Sequence, residues 1–226
     1  MIKPIDFFLK IEQTINSLST IDYNIDNFNQ DDFYTLFGTV KKLFEDSCYN
    51  FTIESGCSKA VIIPAEGNFV FKIPLMFDVN NYNCLSTDYC AEEVSQYKEA
   101  KIEGMEYAFV KTVPFDEMKI KYGAPLPFYI QDKVEVFDKW GKYDEIYDEM
   151  AEKYENTLRL PSLWIEDFCN AYGVESFEDF GIFVCNSGIN DLHSGNVGYL
   201  DGMPVVFDYS GYFESNEDYN SDYCDF

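Results

Sequence analysis

The spacing of apolar residues divides the chain into a helical front, a β-rich middle and a mixed second half. In residues 6–18 and 31–45, apolar side chains recur at helical spacing, which predicts two amphipathic helices. Residues 50–54, 60–63 and 69–73 are rich in β-branched and aromatic side chains, and turn-forming residues separate them. The middle region therefore predicts three consecutive antiparallel strands.

After this region the pattern alternates between helix and strand. Residues 78–87 are polar and predict a loop, whereas 89–103 has its apolar positions on one helical face. Two further strands are predicted over 107–113 and 126–136.

From Phe137 to about residue 180 the pattern is helical again. The charged window 138–155 and the segment 162–172 each present one apolar face, and 175–186 predicts a short helix or a passage from helix to strand. Two short strands flank Asp201-Gly202, a dipeptide typical of a β-hairpin turn. The order of these elements predicts an α+β fold.

The composition narrows the class of protein. Hydrophobic residues make up 46% of the 226-residue chain, so we expect a folded protein rather than a disordered one. No apolar run is long enough for a membrane span, and the start of the chain does not resemble a signal peptide, so we expect a cytoplasmic protein with no membrane contact. The seven cysteines lack paired spacing, which argues against a zinc site or a disulfide framework.

The formal net charge of −25 is the most unusual property of the composition. A chain of this sign repels a nucleic-acid backbone, so direct nucleic-acid binding is not expected. Two interpretations of the charge stay open. It is a solvated acidic surface, or it is an acidic decoy that occupies the nucleic-acid-binding site of another protein.

The candidate chemistry lies in the loop Asp191-Leu-His-Ser-Gly-Asn196 and in Asp208. Phosphoryl transfer from a nucleotide uses one carboxylate to orient the attacking hydroxyl, and a second carboxylate with an amide oxygen to hold Mg²⁺. Asp191 fits the first role, and Asn196 with Asp208 fits the second. An ordinary surface turn is the alternative. His193, the single histidine of the chain, is expected to brace the loop rather than act as a base.

Lys72 lies between apolar residues of a predicted strand, so its ammonium group needs either solvent or a negative partner. The candidates on the next helix are Glu92, Glu93 and Glu99. Glu93 is preferred because it adjoins the core-facing Val94. Such a pair would hold the lysine against nucleotide phosphates, and for each glutamate a solvated surface charge is the alternative.

Gly56 lies in the turn between the first two strands, and Lys59 follows it closely. Glycine lets backbone N–H groups approach a phosphate, so this turn is a candidate cover for a nucleotide. An ordinary hairpin turn is the alternative for a single glycine.

Taken in chain order, these residues resemble the protein-kinase-like phosphotransferase superfamily over residues 50–213. The D-x-H-x-x-N form of the loop at 191–196 is similar to that of aminoglycoside- and choline-kinase-like enzymes. The chain also looks like small kinase-like proteins encoded by bacteriophages, which would place it in the host cytoplasm. The resemblance implies a two-lobed fold, with an antiparallel sheet and a packed helix in the N-lobe and a reduced, mainly helical C-lobe.

The resemblance also implies a division of roles among the candidate residues. ATP and Mg²⁺ would be bound, with Lys72 on the phosphates and Glu93 holding it. The strand over 129–134 would lead into a hinge, where the backbone of Gln131 to Lys133 would contact the nucleotide base. The implied domains are an N-terminal helical extension, an N-lobe and a reduced C-lobe that carries the catalytic loop and an acidic tail; their ranges are 1–46, 47–133 and 134–226.

Two departures from the family pattern affect the expected function. The turn at 55–59 has a single glycine, and only fifteen residues follow Gly211, which leaves no room for acceptor-binding helices. We therefore expect an ATP-dependent phosphotransferase acting on a hydroxyl of an unknown protein or small-molecule acceptor, with strong dependence on Mg²⁺ and salt. The alternative is a non-catalytic kinase-like interaction protein, such as an acidic inhibitor or nucleic-acid mimic.

Overall fold

The structure is a computed structural model, and it describes residues 51–55, 59–74, 77–78, 83–84, 88–115, 128–138, 158–189 and 191–210. The helices predicted over 6–18 and 31–45, most of the window 138–155, and Gly56 lie outside the described residues.

The described elements alternate between short strands and three α-helices. The strands are β1 (Phe51–Ser55), β2 (Lys59–Pro64), β3 (Phe69–Pro74), β4 (Phe77–Asp78), β5 (Asn83–Cys84), β6 (Thr112–Pro114), β7 (Tyr129–Asp132), β8 (Glu135–Val136), β9 (Leu158–Arg159), β10 (Leu192–His193), β11 (Val197–Leu200) and β12 (Met203–Val206). The helices are α1 (Tyr89–Ile102), α2 (Ser162–Tyr172) and α3 (Val174–Asn186), with 3-10 turns at Glu106–Ala108 and Ser194–Asn196.

Five strands form an antiparallel sheet in the order β1-β2-β3-β7-β6. Its register decides which polar side chains meet. Lys59 lies opposite Pro74, two residues beyond Lys72 on β3, so the two lysines are diagonal neighbours on one face. Gln131 lies opposite both Val70 and Thr112, which puts its side chain and that of Thr112 on the same face as Lys72.

Helix α1 packs against this polar face of the sheet. Asp88 caps its start, since the carboxylate accepts hydrogen bonds from the backbone N–H groups of Cys90 and Ala91, each at 3.0 Å. The hydroxyl of Tyr129 donates to the other carboxylate oxygen of Asp88 at 2.5 Å, which ties the helix start to β7. The cap therefore fixes the position of the helix relative to the sheet, and Glu93 is fully buried between them.

A second group of elements encloses most of the apolar core. Helices α2 and α3 follow each other across Gly173, whose φ of 100° favours glycine. Trp164 and Phe168 have ring centroids 5.3 Å apart, and the indole N–H of Trp164 donates to the Gly198 carbonyl at 3.2 Å. Aromatic side chains dominate this core, which includes Phe109, Phe137, Trp164, Phe168, Phe177, Phe180, Phe183 and Tyr209.

The β11–β12 hairpin joins the two groups of elements. Asp201 and Gly202 have φ values of 52° and 80°, as a two-residue turn with both central residues in the left-handed region requires. The backbone N–H of Val110, which precedes β6, donates to the carbonyl of Val206 at the end of β12. This bond places the segment after β12 next to the five-stranded sheet.

The structure confirms the α+β class, the first three strands, the helices over 89–103 and 162–172, and the Asp201-Gly202 hairpin. The region 107–113 was predicted as one strand. Instead a 3-10 turn precedes β6, because Phe109 and Val110 pair with Val206 rather than with the sheet. The segment 126–136 contains two strands that join different sheets. The region predicted as a loop, 78–87, contributes to the short pair β4–β5, and the segment from 175 is helical.

Within the part of the chain that the structure describes, no helix combines the length and the apolar character needed to cross a bilayer. In the same part, Cys90, Cys169 and Cys185 do not form disulfides.

Candidate functional site

Glu93 is the centre of a buried polar cluster between α1 and the sheet. The Lys72 ammonium lies 2.9 Å from both carboxylate oxygens of Glu93, so the ion pair predicted from the sequence is present. The Thr112 hydroxyl donates to Glu93 at 2.7 Å. A carboxylate removed from water in this way is stable only when such partners replace its hydration.

Lys59 is a second lysine in the same cluster. Its ammonium donates to Glu93 Oε1 at 2.7 Å and also to Asp208 Oδ1. The side chain of Lys59 is 4% exposed, whereas that of Asp208 is 37% exposed. Lys59 therefore connects the buried interior to a carboxylate at the surface of the cluster.

The carbonyl of Phe207 connects the sheet to the segment that carries Asp208. It accepts hydrogen bonds from the Lys72 ammonium at 2.6 Å and from the Gln131 side-chain amide at 2.9 Å. The same amide also donates to Thr112 Oγ1 at 2.9 Å and to the Val110 carbonyl at 3.2 Å. Asp208 is thus positioned through its neighbouring backbone as well as through its own side chain.

The proximity of these charges changes their pKa values. Burial by itself would lower the pKa of Lys59, but the carboxylates of Asp208 and Glu93 outweigh burial and raise that pKa. Burial by itself would raise the pKa of Asp208, but Lys59 and Lys72 outweigh it and lower that pKa to about 2. Both Lys59 and Asp208 are therefore ionised near neutral pH.

The loop at 191–196 lies beside this cluster. Strand β10 pairs in parallel with β9, which brings Arg159 alongside the loop, 3.5 Å from Asp191 Oδ1. The side-chain amide of Asn196 donates to the Asp191 carbonyl at 2.6 Å, and the Asn196 carbonyl accepts from the backbone N–H of Phe207 at 3.0 Å. Asn196 therefore links the loop to the segment ending in Asp208.

His193 braces the loop, as the sequence predicted. Its Nδ1 accepts a hydrogen bond from the Gly195 backbone N–H at 3.0 Å. A Cβ atom on Gly195 would lie 2.9 Å from His193 Cε1. The ring and the glycine are thus packed closely enough to restrict the side chain that the loop accepts at 195.

Asp191 has a different electrostatic environment from Asp208. Burial raises the pKa of the Asp191 carboxyl group; the Asp208 carboxylate raises it further, while His193 and Arg159 act in the opposite direction. The site therefore contains one carboxylate of lowered pKa beside a lysine and one of raised pKa in the loop. Environments that separate the pKa values of two carboxylates in this way are typical of sites that perform acid–base chemistry.

The donor set of Asn196 and Asp208 fits Mg²⁺. The amide nitrogen of Asn196 is held by the Asp191 carbonyl, which leaves the amide oxygen available to a metal. Asp208 already has a cation, the Lys59 ammonium, at its carboxylate. Among the described residues no group of three or more His, Cys, Asp or Glu side chains is arranged to hold a metal. Mg²⁺ commonly takes only one or two carboxylates, with water and phosphate oxygens as its other ligands.

The predicted backbone contacts of Gln131 and Lys133 with a nucleotide base stay predictions, but both residues have partners within the protein. The Gln131 side chain is 2% exposed and points into the cluster, where its amide donates to Val110, Thr112 and Phe207. The backbone N–H of Lys133 donates to the Asn68 carbonyl at 3.0 Å, so a contact between this N–H and a base requires that bond to open. Gly56 lies outside the described residues.

Sequence reasoning missed three participants: the Thr112 hydroxyl, the Gln131 side chain and the Phe207 carbonyl. Thr112 and Gln131 lie on the face of Lys72, but the strand register that puts them there is set by the folded sheet and not by local sequence. No sequence pattern indicates a backbone carbonyl as a lysine partner. The contact between Lys59 and Asp208, 149 residues apart, was likewise not predictable from local pattern.

A separate cavity of about 550 Å³ lies between the end of α1 and α3. It is lined by Glu99, Ile102, Glu103, Met105, Asp179, Ile182, Phe183, Asn186 and Ser187, and it includes none of the cluster residues. We refer to it below as the α1–α3 groove.

No protein-family model matches the sequence, and a search of curated proteins gives no match.

Proposed function

We propose that this protein is a kinase-like phosphotransferase that moves the γ-phosphoryl group of ATP to a hydroxyl of an acceptor. The observation that supports this most directly is the meeting of Lys72, Glu93 and Asp208 from three separate elements. Lys72 binds Glu93 and the carbonyl next to Asp208, while Lys59 bridges the two carboxylates. The proposal includes a kinase-like two-lobed arrangement, with the site between the sheet and the loop.

The burial of these charges supports a functional role. A buried ion pair stabilises a fold no better than well-packed apolar side chains of similar volume. This cluster buries two lysines and a glutamate at 4% exposure or less, beside an apolar core that has ample aromatic material. Charges kept at such a cost in desolvation are expected where they bind a charged ligand.

In the proposed reaction the residues of the loop and the cluster have distinct roles. Asp191 orients the acceptor hydroxyl and takes its proton as the hydroxyl oxygen bonds to phosphorus and the bond to the departing ADP breaks. Lys72, held by Glu93, contacts the phosphates. Asn196 Oδ1 and the Asp208 carboxylate would hold Mg²⁺, which would neutralise phosphate charge when bound.

The raised pKa of Asp191 suits this role. A carboxylate of raised pKa is a stronger base than a solvated aspartate, and general-base assistance typically contributes about 10²–10⁴-fold to a rate. Arg159 lies near enough to Asp191 to orient it. Because Arg159 is 57% exposed, its ion pair with Asp191 is screened by solvent and does not prevent proton uptake.

Nucleotide binding is the first step to test. With Mg²⁺ and ATP the melting temperature of the wild-type protein should rise, since a ligand at 100 times its Kd stabilises a fold by about 2.7 kcal/mol. Lys72→Met should abolish the rise, whereas Lys98→Met, an exposed change on α1 that removes the same charge, should keep it. Absence of any nucleotide-dependent shift in wild type would exclude the proposed function at the binding step.

The catalytic assignment is tested by Asp191→Ala. This variant should keep the nucleotide-dependent shift but release ADP at least about 100-fold more slowly, as loss of a general base implies. Asp138→Ala, at an exposed position, is the matched control for loss of one carboxylate. Unchanged ADP release in Asp191→Ala would show that another group takes the proton.

A second candidate function is a non-catalytic interaction protein on the same scaffold. The α1–α3 groove favours it, because Ile102 and Ile182 are 80% and 53% exposed beside the acidic side chains of Glu103 and Asp179. This combination fits a basic amphipathic helix of a partner protein. A labelled helical peptide of Lys and Leu is the probe, measured by fluorescence anisotropy. Binding should weaken in Ile182→Glu and persist in Asp208→Ala; equal binding by both variants would reject the groove as the docking surface.

A further inference from the structure

We propose that Lys59 is an internal counter-ion for Asp208. A divalent metal displaces the Lys59 ammonium from Asp208, and a nucleotide phosphate then binds the displaced ammonium. The second half rests on the proposed function, because it requires a nucleotide at the site. The first half concerns only this chain and a metal ion.

Lys59 is not needed to form the ion pair of the cluster. Lys72 already contacts both carboxylate oxygens of Glu93 and the Phe207 carbonyl, so Glu93 would be neutralised without a second lysine. Lys59 adds a further buried ammonium, and its remaining partner is Asp208. With Lys59 included, two ammonium groups face two carboxylates, so the cluster as a whole is neutral.

This neutrality changes how Asp208 meets a metal. A divalent cation that binds Asp208 Oδ1 must displace the Lys59 ammonium from it, and one that binds the other oxygen still lies close to that positive charge. Mg²⁺ or Mn²⁺ alone should therefore bind weakly. An opposite charge within a few ångströms typically changes the proton affinity of a carboxylate by about 10- to 1,000-fold, and competition with a metal is the same electrostatic effect.

A nucleotide phosphate removes the electrostatic cost of binding a metal at Asp208. Once displaced, Lys59 needs a second anion in addition to Glu93, and the phosphates provide it beside Lys72 on the adjacent strand. Metal and nucleotide should therefore each strengthen the binding of the other by the same factor. The consequence for the molecule is that Lys59 disfavours a metal-loaded site without substrate.

A purely structural role for Lys59 is the competing explanation. In that case the lysine fastens β2 to the segment after β12, and its removal lowers stability without changing metal affinity. The two explanations differ in one measurable quantity, the affinity of the protein for a divalent ion in the absence of nucleotide.

The experiment is a titration of the full chain with Mn²⁺ alone, followed by the electron paramagnetic resonance signal of free Mn²⁺. Lys59→Met and Lys59→Gln should bind Mn²⁺ about tenfold more tightly than wild type, the lower limit for a carboxylate that is 37% exposed. Lys98→Met controls for the change in net charge and should leave the affinity unchanged. Adding Asp208→Asn to Lys59→Met should return the affinity to the wild-type value.

The outcomes separate this proposal from the proposed function. Equal Mn²⁺ affinity in folded Lys59→Met and wild type overturns the role of Lys59, whatever the nucleotide does. Tighter Mn²⁺ binding in the variant, together with no nucleotide-dependent thermal shift in wild type, keeps Lys59 as a counter-ion and removes the kinase-like function. If both Lys59 variants fail to fold, wild type is compared with Asp208→Asn. Wild type binding Mn²⁺ alone more than about threefold tighter would overturn the proposal, since Asp208 would then be open to metal.

Discussion

Replacing Glu93 with glutamine removes the charge that holds the buried cluster together. Glu93 is fully buried and accepts hydrogen bonds from Lys59, Lys72 and Thr112 at 2.7–2.9 Å. The glutamine side chain has nearly the same shape, so the packing of α1 on the sheet should be retained. What changes is that two buried ammonium groups lose their shared counter-charge.

The size of the effect follows from the partners that remain. Lys59 keeps Asp208 and Lys72 keeps the Phe207 carbonyl, so neither ammonium is left without a partner. Removing one member of a buried ion pair typically costs about 3–5 kcal/mol, and these remaining contacts place Glu93→Gln near the lower limit, about 3 kcal/mol. A domain has about 5–15 kcal/mol of stability, so the variant should fold but melt at a clearly lower temperature.

Urea unfolding followed by far-UV circular dichroism measures this loss. Glu99→Gln, an exposed position on the same helix, removes the same charge and should change the free energy of unfolding by no more than about 0.5 kcal/mol. Adding Lys72→Met to Glu93→Gln should cost less than Lys72→Met costs in wild type, because the pair is already broken. A loss below about 1 kcal/mol in Glu93→Gln would refute the reasoning, since it would mean that the cluster is hydrated.

Three further predictions concern backbone sterics and pH. A Cβ on Gly198 would lie 2.4 Å from the Glu135 carbonyl oxygen, so Gly198→Ala should lower the free energy of unfolding by about 2–3 kcal/mol in urea titration; a neutral result would contradict the close approach of β11 to β8. A Cβ on Gly202 would have no heavy atom of the described residues within 4 Å, but φ is 80°. Gly202→Ala should therefore lower the free energy of unfolding only by the left-handed backbone strain, about 1–2 kcal/mol. Because the pKa of Asp208 is lowered from 3.8 to about 2, its carboxylate stabilises the fold above pH 4 and this contribution is lost as the pH falls towards 2. For a side chain that is 37% exposed, screening reduces the contribution to about 1 kcal/mol, so Asp208→Asn should melt below wild type at pH 7 and level with it near pH 2; a constant difference would contradict the ion pair.

Local chemistry made several elements predictable. The helix over 162–172 was predictable from its single apolar face. The hairpin turn was predictable from Asp201-Gly202, because the turn requires a left-handed backbone at both positions. The ion pair between Lys72 and Glu93 was predictable because a lysine inside an apolar strand must find a partner. The choice of Glu93 depended on Val94 facing the core, but Val94 is half-buried and Glu93 itself occupies the buried face of the helix. The helix and the turn depend on neighbouring residues, whereas the ion pair joins two elements 21 residues apart.

The predicted and observed elements differ where distant segments compete for the hydrogen bonds of the same backbone. Residues 107–113 have strand composition, but Phe109 and Val110 pair with Val206 and only Thr112–Pro114 joins the sheet. Gln131 has a side chain suited to either surface or interior, and strand register directs it into the cluster. No local pattern carries this information, because hydrogen-bond partners of a strand are chosen by the folded sheet.

Local sequence indicates which residues need partners: a lysine in an apolar strand, a glutamate on the following helix, and two aspartates and an asparagine around one hairpin. Which groups partner one another depends on the folded arrangement. It places Lys59 between Glu93 and Asp208, so that the carboxylate expected to hold a metal already has a cation. The physical reason is that charge neutrality in a buried cluster is a property of all the groups that meet there. Those groups come from strands, a helix and a loop that are far apart along the chain.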